Sequence, residues 1–157
     1  MEEMSFSPRD FAEAFADAPR PTREEIALHR CEECERVRAD FASHAAADVP
    51  DEVIIYHSDS IPLLSPAAFR YYLPRYVRLT CEKPDTNATD FLLFNLCPDD
   101  PSSEFWSGRC DAFTRRECEA IVSYLQHRQT WPGADSDSEW VEPAIEFWRR
   151  LAAARPE

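Results

Sequence analysis

His29-Arg30-Cys31-Glu32-Glu33-Cys34 sets two thiols at C-x2-C spacing beside an imidazole. Soft thiolates next to a histidine at this spacing are zinc-compatible donors. Tetrahedral zinc needs four ligands, or three and a water, and the sequence offers neither a second C-x2-C nor an H-x3-H. A further ligand would have to come across the fold from His44, His57 or Cys81. The competing arrangement puts both cysteines on the apolar face of a helix with Val37 and Phe41, as ordinary interior residues. That arrangement is the expectation, with no metal and no cofactor; zinc on His29, Cys31 and Cys34 is the alternative.

His57-Ser58-Asp59 brings together a base, a hydroxyl and a carboxylate, the residue types of nucleophilic catalysis. Neighbours in sequence seldom face one another, and no G-x-S-x-G elbow precedes them. Ser58 or Asp59 is therefore expected to cap a turn and His57 to pack, and no catalytic residue is assigned. Arg70, Tyr71, Tyr72, Arg75, Tyr76 and Arg78 supply aromatic and basic groups of the kind that hold nucleotides. Helical spacing instead lines up Phe69, Tyr72 and Tyr76 and leaves the arginines off that stripe, so core tyrosines flanked by solvated arginines are expected.

Thirty Asp and Glu stand against 17 Lys and Arg, a formal net charge of −13. Such a field repels phosphate backbones and anionic membranes, which argues against direct nucleic-acid or lipid binding. Only two glycines, Gly108 and Gly133, are present. Gly-rich phosphate loops, which need positive φ, are thereby nearly excluded. What the charge suits is a non-enzymatic interaction domain with a basic protein partner, such as an immunity or antitoxin-type inhibitor of a nuclease. Glu32, Glu33, Glu35, Asp99 and Asp100 are its candidate partner-binding carboxylates, and Trp106 and Trp131, in polar loops, its candidate anchors. The alternative is a zinc protein or small metal-dependent enzyme.

The longest apolar run, Phe91 to Phe94, is too short to cross a membrane, and the acidic Met1-Glu2-Glu3-Met4 does not read as a signal peptide. A cytoplasmic protein is expected, with its six cysteines as free thiols or ligands.

Several segments open with a capping residue and continue with an apolar stripe. Ser7 caps a helix begun by Pro8, with Phe6 and Phe11 as a staple; Ser65-Pro66 repeats the signal. Capping boxes at Thr22-Glu25 and Thr114-Glu117 start two more helices, the former expected to run to about Ser43 with Ala27, Cys31, Cys34, Val37 and Phe41 inward. Val53 to Tyr56 is read as short helix and turn, a short buried helix is expected from about Asp90 to Leu96, and Asp99 to Asp111 is read as an ordered loop. A last helix is expected to face Trp140, Ala144, Phe147, Trp148 and Leu151 inward, with Pro143 in its first turn. The sum is an all-α bundle of five to seven helices with long ordered loops, a single helical domain over residues 1–157.

The stretch Leu64-Ser65-Pro66-Ala67-Ala68-Phe69-Arg70-Tyr71-Tyr72-Leu73-Pro74-Arg75-Tyr76 resembles the signature of a bacterial family of small proteins without an assigned function. Phe11-Ala12-Glu13-Ala14-Phe15, the Cys34-Glu35 step before Val37, and Asp90-Phe91-Leu92-Leu93-Phe94-Asn95-Leu96 followed by Phe113-Thr114 agree with it. The resemblance spans roughly Phe11 to Leu125. It implies a bacterial, cytosolic, mainly helical domain and brings no reaction, cofactor or catalytic residue.

Overall fold

Ser7 Oγ accepts the backbone N–H groups of Arg9 and Asp10, and with Pro8 behind it the first helix, α1 (Pro8–Ala14), starts where the local signal demands. In this computed structural model, which describes residues 6–156, the acidic Met1 to Met4 start lies outside the described residues. The chain continues through α2 (Arg23–Ile26), α3 (Glu32–Ala42), α4 (Asp51–Tyr56), α5 (Pro66–Glu82), α6 (Asn87–Phe94), α7 (Glu104–Cys110), α8 (Arg115–Arg128) and α9 (Ser138–Ala154). Short 3₁₀ turns occupy Ala46–Asp48, Ser58–Leu63 and Ala134–Asp137. No strand occurs among the described residues, so the fold is all-α.

A continuous apolar core runs from Phe11 to Ala152, with α1 on α5 and α8, and α8 against α9. The stripe of α5 is as expected: Phe69, Tyr72, Leu73, Tyr76 and Leu79 are all buried. Phe113, between α7 and α8, meets the rings of Phe15, Phe69 and Trp148 edge-on.

The expected Thr22–Ser43 helix divides in two. Its first part ends because the Ile26 carbonyl accepts the Ser65 N–H at 2.9 Å, and the Ser65 hydroxyl donates to the Glu25 carbonyl. Those carbonyls bond across the fold instead of up the helix, and Ala27 turns extended (φ −140°, ψ 129°). The chain re-enters helix only at Cys31, which caps α3. This overturns the inward placement of Cys31: Cys34, Val37 and Phe41 are fully buried, while Cys31 stands half-buried at the helix start.

Three other expectations change. The Asp99 to Asp111 segment contains α7, because Ser103 caps it by accepting the Trp106 N–H and because Trp106, Arg109 and Cys110 form a buried face. Helix α9 turns by one residue, burying Val141, Ala144, Ile145, Trp148 and Ala152, leaving Trp140 about half exposed, and placing Pro143 beyond the first turn. Arg70 and Arg75 are not solvated: Arg70 Nε donates to Glu117 at 2.9 Å, and buried Arg75 donates to the Val49 carbonyl and to Asp51. Together with the divided second helix, α7 raises the number of elements above the five to seven expected.

Candidate functional site

The residues of Ala27 to Cys31 leave the helix ladder, so their backbone groups need other partners. Arg38 supplies them. From the buried side of α3 its guanidinium donates to the carbonyls of Ala27 and, at 3.1 Å, of His29, and its Nε donates to Glu35 at 3.1 Å. The bend is therefore clamped to the helix that follows it.

That clamp positions His29, Cys31 and Cys34. One ring nitrogen of His29 and the two Sγ atoms all lie within 4.8 Å of one another. Cys31 Sγ accepts the Cys34 N–H at 3.4 Å, and this bond, with help from His29, lowers the Cys31 thiol to about 7. Burial raises Cys34 to about 11, and its neighbour Cys31 adds to the rise. A half-buried, acidified thiol at a helix start beside a buried one and an imidazole is a soft donor set.

The first turn of α3 serves a second feature. Glu32, Glu33 and Arg36 face Tyr56, His57, Asp59 and Ser60 across a cavity of about 410 Å³. Three carboxylates against one guanidinium leave these four groups with two net negative charges. Ser60 Oγ donates to Glu33 at 3.1 Å, and Arg36 donates to the Tyr56 hydroxyl. His57 is 1% exposed; its Nε2 lies 2.7 Å from Asp40 Oδ2, and its Nδ1 has no partner. Ser58 donates to the Ile55 carbonyl, so the three consecutive residues form no relay, and the carboxylate on His57 is Asp40.

The other partner-binding candidates do not line this cavity. Glu35 is held by Arg38 and, at 3.6 Å, by Arg23, and these pairings keep its carboxyl below the usual range. Asp99 and Asp100 are exposed but shape their own loop, Asp99 accepting from the Asp100 N–H and Trp106 Nε1, and Asp100 from Ser102. Trp106 is buried, 5% exposed, and is no protruding anchor, because its ring completes the inner face of α7. Trp131 is half-buried, with the Arg128 guanidinium 4.7 Å from its ring centre. Asp40, Tyr56, Ser60 and Arg38 escaped the sequence reading. Only Tyr56, placed off an apolar stripe next to His57, left any local sign.

The model of a family of unknown function, DUF6714, matches residues 11–152. No curated protein and no solved structure matches the chain.

Proposed function

For a chain that belongs to this family of unknown function, we propose a non-enzymatic role: it binds a basic protein by seating one of the partner's cationic side chains in the cavity at the start of α3. The observation that carries this reading is the combination of a carboxylate rim, Glu32, Glu33 and Asp59, with a buried ring nitrogen lacking a partner, His57 Nδ1. In the neutral tautomer whose Nε2 donates to Asp40, Nδ1 holds a lone pair. A guanidinium or ammonium brings both things the cavity is short of, positive charge and N–H donors.

The net charge of −13 supplies the long-range part, speeding encounter with a cationic surface. Asp99 and Asp100 contribute to that field from outside the cavity. A basic enzyme such as a nuclease is the partner class we favour, with this protein its inhibitor in the manner of an immunity protein, in the bacterial cytoplasm.

The test is an NMR titration of the full chain with a capped arginine tripeptide and with the same peptide carrying neutral citrulline. Shifts confined to residues 32–36 and 56–60 are expected with arginine only, weakening with salt and in Glu33→Gln with Asp59→Asn. An absent response, or an equal response to citrulline, refutes the reading.

A further inference from the structure

We propose that His29, Cys31 and Cys34 form a zinc site of three protein ligands with a fourth position open to solvent. The proposal is separate from the basic-partner reading, although both features use the first turn of α3. Its basis is convergence: the three donor atoms lie within 4.8 Å of one another, although His29 lies outside the helix that Cys31 caps and that carries Cys34. Around tetrahedral zinc, with bonds of about 2.3 Å to sulfur and about 2.0 Å to nitrogen, donors sit roughly 3.5–3.8 Å apart. Up to about 1 Å of closure is needed, and a rotamer change of the exposed His29, whose ring is hydrogen-bonded to Cys31, can supply it.

The two sulfurs are already placed. Cys34 is buried on α3, and Cys31 Sγ is tied to the Cys34 N–H. Arg38 fixes the His29 backbone through its carbonyl, the outer support that ordered metal sites share. Two sulfurs and an imidazole favour zinc over magnesium or calcium, which take oxygen ligands. On binding, each thiol releases its proton to solvent and each sulfur donates a lone pair. Nothing is oxidised. Two thiolates neutralise the dication, and water takes the fourth position on the exposed side of His29 and Cys31.

The experiment uses the purified full chain, stripped with chelator under a non-thiol reductant and dialysed against zinc, with cobalt(II) as a spectroscopic probe. One retained equivalent of zinc is expected, with a thiolate-to-cobalt charge-transfer band and tetrahedral d–d intensity. His29→Ala, at an exposed position, should weaken binding at least about tenfold, and Cys31→Ser further still. Circular dichroism separates lost binding from lost folding. No retained zinc, a cobalt spectrum without the thiolate band, or undiminished affinity in folded His29→Ala and Cys31→Ser overturns the proposal. Arginine-peptide binding tests the other reading independently.

Discussion

Arg38 donates to the carbonyl of His29 at 3.1 Å from inside α3, so a buried charge on one helix holds the bend that carries the exposed imidazole. Arginine suits this task because its planar fork can serve several acceptors at once. Arg75 and Arg109 repeat the pattern. Arg75 bonds the Val49 carbonyl at 2.8 Å, and Arg109 reaches Asn95 Oδ1 and the carbonyls of Ile61 and Leu64 while lying over the Phe69 ring. In a chain whose basic residues include only one lysine, Lys83, buried guanidiniums close off the backbone groups that short helices leave unpaired.

Arg38→Met keeps an unbranched side chain but leaves the Ala27 and His29 carbonyls without their donor. The expected result is a lowered melting temperature and zinc affinity reduced roughly tenfold, although no ligand has changed. Thermal melts and competition against a chelator read the two effects. Unchanged zinc affinity would show that the clamp does not position His29.

Glu117 is 1% exposed and does double duty, accepting the Thr114 N–H at 2.8 Å and Arg70 Nε at 2.9 Å. Glu117→Ala should cost about 3 kcal/mol, a fall of roughly 6–12 °C in melting temperature, because Arg70 loses its partner along with the cap. Thr114→Ala removes only the bond to the Glu117 N–H and should cost about 1 kcal/mol. Denaturant titrations rank the two, and equal losses would show that the Arg70 pairing contributes nothing.

Asp51 lies between Lys83, at 2.9 Å, and Arg75, and these partners hold its carboxyl below the ordinary 3.8. A depressed carboxylate contributes stability that is fully present above its unfolded value and lost as pH falls through the folded one. The melting-temperature gap between wild type and Asp51→Asn should therefore be widest above about pH 5 and narrow as pH drops below 4. A gap constant with pH would mean the ion pairs do not stabilise the fold.

Glu32→Lys with Glu33→Lys reverses two exposed charges in the first turn of α3. Beyond the loss of favourable carboxylates at a helix start, worth about 0.3–1 kcal/mol each, the fold should be kept. Arginine-peptide binding should vanish together with its salt dependence. Circular dichroism and the same titration decide it; binding retained by the folded variant would move the docking site elsewhere.

Helix starts were legible in the sequence because a cap and its partners lie within four residues. Ser7-Pro8, Ser65-Pro66 and Thr114 with Glu117 each open a helix where local chemistry placed it. The apolar stripe of α5 and the all-α class were legible for the same reason, since a 3.6-residue period is written along the chain itself. The proximity of His29, Cys31 and Cys34 was legible only as a spacing. Whether they sat on one helix face or at a bend depended on Ser65, 40 residues beyond Glu25, capturing the α2 carbonyls and on Arg38 receiving the freed chain. Asp40 meeting His57 is likewise a contact between elements 17 residues apart, with no repeat or spacing to announce it. Local backbone bonding is decided by neighbours in sequence, whereas the ending of α2 and the pairing of a buried histidine depend on which distant groups packing brings within reach.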